Sequence, residues 1–223
     1  MITDNINVIP YFLDKWEKNV SEHPEKIVLV DELNPQGITR KKADELSSRI
    51  YGYLSDKGIG KEDFVMVCMP RGAMSIISMI GIWKAGAAVT VVEDNYAPHR
   101  IEYIKNDCGC KAIIDMSTID EMLKAEPKSG YEAVDDHDAA FAVYTSGTTG
   151  NPKGVLHEYG NIKLNYISGR RVGKKPRMNQ DSRFALIAPL NFIAAIKMVF
   201  SVIYNCFTMY VIPYNITKNP IRL

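Results

Sequence analysis

"AVYTSGTTGNPKGV", residues 142–155, holds four hydroxyls (Thr145, Ser146, Thr148, Thr149), three glycines (Gly147, Gly150, Gly154) and Lys153 between positions 145 and 154. The apolar stretch AAFAVY (139–144) precedes this cluster and GVLHEY (154–159) follows it. Both flanks read as buried strands, so the cluster is a loop. Glycines let a backbone approach a ligand closely and turn successive N–H groups into one concavity. Hydroxyls add donors that rotate to suit, and a lysine adds a compact positive charge. Together they suit a polyphosphate. The spacing excludes a Walker A loop, because Pro152 stands five residues after Gly147 where the second glycine belongs. It also excludes a dinucleotide fingerprint, since a strand and not a helix follows. The plain alternative for such a cluster between strands is a simple turn.

Outward from this loop, the chain alternates strand and helix. KIVLVDE (26–32) reads as a strand, and TRKKADELSSRIYGYLSDKG (39–58) as an amphipathic helix with Ala43, Leu46, Ile50 and Leu54 on one face. DFVMVCM (63–69) is a continuous apolar run closed by Pro70, the pattern of a strand covered on both faces. A helix over AMSIISMIGIWKAG, a strand at AAVTVVE, a helix from Pro98 that Gly109 stops, and a strand at KAIID follow. Residues 116–138 form a polar connection with one short helix. Beyond the loop the pattern predicts a helix over 161–171, a strand at FALIAPL (184–190), a helix near 192–204 and a strand at TMYVIP (208–213). The fold class is α/β, a largely parallel sheet flanked by helices. Two units are expected: residues 1–180 as a first sheet carrying the loop, and 181–223 as the beginning of a second sheet. Pro220 reads as the start of a helix that does not arrive, so the chain is expected to be truncated. A sheet cut this way predicts exposed apolar surface, an unpaired edge and self-association.

Composition narrows the function classes. Across 223 residues the chain is 46% hydrophobic and 24% charged, with a net charge of +1. That balance gives no case for nucleic acid or an anionic membrane as partner. FIAAIKMVFSVIYNCF (192–207) is interrupted by Lys197 and reads as a core helix, not a membrane span. The start, MITDNINVIPYF, lacks a secretion signal, and Cys68, Cys108, Cys110 and Cys206 contain no CxxC pair. They read as inert thiols in a reducing cytoplasm. A metal site from His99, Cys108 and Cys110 lacks a fourth ligand, and no metal-binding residues are assigned. DDHD (135–138) and GRRVGKKPR (169–177) read as solvated loops, the second with some capacity to steer ATP or an acidic carrier surface.

YTSGTTGNPKGV (144–155) resembles, nearly letter for letter, the phosphate-loop motif of the adenylate-forming (AMP-binding) superfamily. That superfamily includes acyl- and aryl-CoA synthetases, luciferases and the adenylation domains of nonribosomal peptide synthetases. WKAGAAVTVVEDNYAPHRIEYIKNDCGCKAII (83–114) is similar to the segment usually read as Lys-Ala-Gly, then a proline, a tyrosine-proline turn and a helix. VLHEYGN after the loop leans toward the peptide-synthetase branch: Glu158 and Asn161 match its Glu-His-x-Asn, with Tyr159 replacing the histidine. The resemblance implies the N-terminal portion of this ligase fold and a two-step reaction. ATP, with magnesium, and a carboxylic acid give an acyl-adenylate, and a thiol of CoA or of a carrier-protein pantetheine takes the acyl group. Carried over, Thr145, Ser146, Gly147, Thr148, Thr149, Gly150 and Lys153 grip the phosphates. Lys153 supplies charge, and the glycines supply closeness.

Two departures bear on function. The family's adenine-stacking and magnesium-binding segment, ribose-binding aspartate and late catalytic lysine have no counterpart before residue 223, so the chain alone is expected not to adenylate. Amino-acid-activating domains carry Phe-Asp-x-Ser where this chain has FIAA, placing Phe192 and Ile193 in the substrate pocket. Isoleucine cannot pair an α-ammonium, which points to an acid without an α-amino group. The other readings are an amino-acid adenylation domain and a non-catalytic remnant that binds nucleotide or a partner chain.

Overall fold

A computed structural model describes residues 11–145, 151–162 and 181–217. The elements in order are α1 (Phe12–Glu22), β1 (Ile27–Val30), β2 (Ile38–Thr39), α2 (Arg40–Asp56), β3 (Phe64–Cys68), α3 (Ala73–Lys84), β4 (Ala88–Val92) and α4 (Pro98–Asp107). Then come β5 (Ala112–Ile114), α5 (Ile119–Met122), β6 (Ala139–Thr145), β7 (Lys153–Glu158), β8 (Arg183–Leu186), α6 (Ile193–Asn205), β9 (Thr208–Val211) and α7 (Tyr214–Thr217). They build two sheets, ordered β5-β3-β4-β6-β7 and β2-β1-β9-β8. Every pairing is parallel except the edge pairs β1–β2 and β6–β7. The largely parallel α/β architecture expected from the near-continuous apolar strands is what forms. Sheet membership, however, interleaves along the sequence instead of dividing at residue 180, because β1 and β2 pair with strands near the other end of the chain.

β4 shows why the strands are almost continuously apolar: all five of its residues are buried, Thr90 being the one polar member. In α3 every residue except Met74 is buried, so this helix carries no polar face and is packed on all sides. Gly81 permits its contact with α2, since a Cβ there would lie 2.7 Å from Ile50 Cβ and 2.8 Å from the Ser47 carbonyl. The rings of Phe12, Trp83 and Phe200 meet at centroid distances of 4.8–5.4 Å and join α1, α3 and α6. Trp83 Nε1 donates to the Ala140 carbonyl (3.0 Å), tying that cluster to β6.

α1, β2 and α7 are elements that sequence patterning missed. α1 buries Phe12, Leu13 and Trp16 but begins without a side-chain cap at Tyr11, which removes the usual start signal. The helix expected over 161–171 falls within the described residues only at its first positions, and GRRVGKKPR lies outside them. Asp135 and Asp138 of DDHD both approach the Lys61 ammonium, at 3.7 and 3.1 Å.

One polar knot lies inside the helical layer. Lys84, 1% exposed, places Nζ 2.6 Å from Asp44 Oδ1 and 2.9 Å from Ser48 Oγ. Trp16 Nε1 donates to the same Asp44 oxygen at 2.7 Å, so one carboxylate joins α1, α2 and α3. The lysine of the Lys-Ala-Gly signature is therefore structural. Removing one partner of a buried pair strands the other charge. Asp44→Ala is expected to lower unfolding stability by about 3 kcal/mol, and Lys84→Met, which removes the charge but keeps volume, by less. Urea denaturation of both variants checks this, and equal losses would contradict the stranded-charge account.

Candidate functional site

The loop hangs from an antiparallel hairpin on the carboxyl edge of a parallel sheet. β6 lies beside β4 in parallel register (Val89 opposite Phe141), and the chain returns as β7 with Tyr144 opposite Gly154 and Thr145 opposite Lys153. Ala139–Tyr144 are buried, whereas Thr145 and Lys153 are exposed. Thr145 Oγ1 donates to the Lys153 carbonyl at 3.5 Å. Lys153 forms no ion pair among the described residues. Thr145 and Lys153 thus stand at the two ends of the loop stem, while Ser146, Gly147, Thr148, Thr149 and Gly150 lie outside the described residues.

Tyr144 and Gly154 fix this stem. A Cβ at Gly154 would lie 3.0 Å from Cζ of Tyr144 and 3.2 Å from its hydroxyl oxygen. Gly154 therefore makes room for a tyrosine ring; the sequence reading of the loop glycines as aids to phosphate approach misses this role. The Tyr144 hydroxyl donates to Asp107 Oδ2 at 2.6 Å, anchoring β6 to the end of α4. Burial, with Asp107 as acceptor, raises the Tyr144 pKa well above the usual phenol value, so the hydroxyl keeps its proton.

Farther along β7, His157 stacks on Phe141 with centroids 4.5 Å apart and planes 13° apart. Burial and the Lys197 charge lower its pKa from the ordinary histidine value. The Glu158 N–H donates to Asn161 Oδ1 (3.1 Å), which turns the chain out of the strand. Tyr159, 2% exposed, donates to the Ala87 carbonyl (3.2 Å) and packs among Tyr11 and Phe12. The departure from the peptide-synthetase histidine is thus a core residue. On the edge strand itself, Val155 and Leu156 remain 46% and 54% exposed.

The carboxyl ends of both sheets meet in a second feature, a cavity of about 40 Å³ lined by Met69, Arg71, Glu93, Asn191 and Tyr214 among others. Such crevices beyond the strand ends are where open α/β sheets bind ligands. Arg71 donates to the Ile187 carbonyl (2.5 Å) and to Thr217 Oγ1 (3.1 Å), bridging the end of β3 to the segments after β8 and β9. Burial lowers its pKa, with Glu93 and Tyr214 pulling the other way; it stays a cation. Asn191 Nδ2 donates to the Tyr96 hydroxyl at 2.7 Å, and its buried Oδ1 has no hydrogen-bond partner. Arg71, Tyr96 and Asn191 are site-edge residues that sequence reasoning did not select. Their signal was position, since Arg71 and Tyr96 lie in the connections that follow the ends of β3 and β4. Phe192, 56% exposed, stands at the N-cap position of α6, and Ile193 packs partly buried against the main core; Leu190 and Asn191, just before them, line the cavity. No described helix is long and apolar enough to cross a membrane.

Comparison with known proteins follows the same lines. Surfactin synthase subunit 1 of Bacillus subtilis (strain 168) is 29% identical over 224 residues, covering 95% of this chain and 6% of that protein. The probable non-canonical nonribosomal peptide synthetase (NRPS) CymA of Salinispora arenicola (strain CNS-205) is 31% identical over 182 residues, 81% of this chain and 2% of that protein. Among solved structures, the N-terminal domain of FACL13 from Mycobacterium tuberculosis superposes with a TM-score of 0.78 at 21% identity, over 91% of this chain and 57% of that one. The NpsA N-terminal subdomain from Klebsiella oxytoca, in complex with 3-hydroxyanthranilyl-AMSN, gives 0.77 at 20% identity, over 90% and 52%. The chain thus spans a small fraction of the curated relatives and little more than half of these structural neighbours. The family described as AMP-binding enzyme matches residues 16–223, and the chain belongs to that family.

Proposed function

We propose that this chain carries the phosphate grip of an ATP-dependent, AMP-forming ligase that activates a carboxylic acid and passes the acyl group to a thiol, of CoA or of a carrier-protein pantetheine. One observation carries the reading. The run of hydroxyls and glycines joins two paired strands at the carboxyl edge of a parallel sheet, with exposed Thr145 and Lys153 in register at its base. Family membership and the relatives among peptide synthetases support it.

In the first step a carboxylate oxygen attacks the α-phosphorus and pyrophosphate leaves. In the second the thiol sulfur attacks the acyl carbonyl and AMP leaves. Thr145, Ser146, Gly147, Thr148, Thr149, Gly150 and Lys153 hold the β- and γ-phosphates, so their work is positioning and charge stabilisation. AMP-binding enzymes use ATP, generally with magnesium. Among the described residues no three His, Cys, Asp or Glu side chains gather as a metal site, and no step here is routed through the ion. Ile193, set against apolar core where amino-acid-activating domains place an aspartate, supports an acid without an α-amino group.

The test separates grip from scaffold. A charge-assisted contact to phosphate is worth about 1.5–3 kcal/mol. In the protein carrying this chain, Lys153→Ala should therefore lower kcat/KM for ATP in carboxylate-dependent pyrophosphate exchange by about 10- to 100-fold. Its unfolding midpoint should not move; unchanged exchange would overturn the proposal. Gly154→Ala should behave differently, because the added methyl displaces the Tyr144 ring. It is expected to lower stability by about 1–3 kcal/mol, measured by thermal denaturation. An undisturbed melting curve would show that the ring does not pin the stem.

A further inference from the structure

Helix α4 ends on Cys108-Gly109-Cys110, and the manner of its ending brings the two sulfurs to 2.9 Å. The Gly109 N–H donates to the Asn106 carbonyl (3.2 Å) and the Cys110 N–H to the Lys105 carbonyl (3.0 Å). With Gly109 at φ +62°, this is a Schellman ending, which only a glycine adopts readily at that position. The reversal turns the cysteines on either side of Gly109 toward each other. Both are half-buried, and Gly109 between them is exposed, so a small reagent has access.

The two thiols are unlike. Cys110 hydrogen-bonds the Cys108 sulfur and lowers the Cys108 pKa to about 7 against the opposing effect of burial; Thr90 and Tyr144 hydroxyls add to this. The Cys110 thiol, facing the Cys108 sulfur and more deeply set, is pushed far up. The other charged groups at the pair are Lys105, which favours a thiolate, and Asp107, which is taken up by Tyr144. The remaining cysteines differ: burial raises the Cys68 thiol, and Cys206 is 6% exposed with Arg40 Nε on its sulfur at 3.0 Å.

We infer that Cys108 and Cys110 form a redox-active dithiol, oxidised to an intramolecular disulfide by low-molecular-weight disulfides of the glutathione type. The Cys108 thiolate attacks one sulfur of the small disulfide, whose S–S bond breaks and releases the first thiolate. Cys110 then gives up its proton to solvent and attacks the Cys108 sulfur, releasing the second. The two protein thiols lose two electrons and two protons, and the small disulfide becomes two thiols. The pair borders Tyr144, one residue before Thr145, so its state is felt at the foot of the loop hairpin. The chemistry itself does not depend on the nucleotide reading.

The test equilibrates the protein in buffers of reduced and oxidised glutathione, alkylates the remaining thiols, and reads intact mass and peptide maps. Expected is the loss of two alkylatable thiols, both in the peptide spanning Cys108 and Cys110, without a retained glutathione adduct. Cys110→Ser should stop at a glutathione adduct on Cys108, and Cys68→Ser should retain the full two-thiol loss. At pH 7 Cys108 should react about tenfold faster than Cys68. A stable glutathione adduct on wild-type Cys108, or equal reactivity of Cys108 and Cys68, would overturn the inference.

Discussion

The contact on which the site depends is a ring against a bare backbone. Tyr144 lies over Gly154 and reaches Asp107 at 2.6 Å, so the two strands that carry the loop are locked to each other and to α4. Parallel strands supply the rigid floor, because β6 is held on one side by β4 and on the other by the returning β7. Thr145 and Lys153 are presented at fixed positions by packing that involves neither of them.

The second sheet contributes the other wall of the cavity at the strand ends, through residues that follow its strands. Its strands come from residues 27–39 and 183–211, and the crevice between the sheets is bridged by Arg71 and by the Asn191–Tyr96 hydrogen bond. Arg71 is partly desolvated and donates through both terminal nitrogens, which suits a cation that holds two elements together, while its buried Nε has no hydrogen-bond partner. The buried, unpartnered Asn191 Oδ1 is the most distinctive polar atom of this crevice. The Lys84–Asp44–Trp16 knot registers three helices, so the lysine of the Lys-Ala-Gly segment has a structural role.

The parallel sheet was legible because strands buried on both faces are almost continuously apolar, as FVMVC and, apart from Thr90, AVTVV are. Pro98 and Gly109 marked the bounds of α4, and the loop announced itself through its donors. What stayed hidden depends on contacts distant in sequence. Nothing in residues 27–39 says that they pair with a strand near residue 210. The role of Gly154 depends on where the Tyr144 ring lies, and that of Arg71 on a carbonyl and a hydroxyl more than a hundred residues away. Cys108 and Cys110 looked inert by spacing, because Gly109 was read only as a stop and its positive φ sets the sulfurs side by side. Leu190 and Asn191, the two residues before Phe192, line the cavity at the strand ends, and Phe192 stands at the N-cap position of α6.

Hydrogen exchange with and without ATP and magnesium tests the central claim most directly. If the hairpin is the phosphate grip, nucleotide should slow exchange of the amides in 139–145 and 153–158 and leave the outer strand β5 unchanged. Protection that appears elsewhere while both hairpin strands exchange as before would contradict the account.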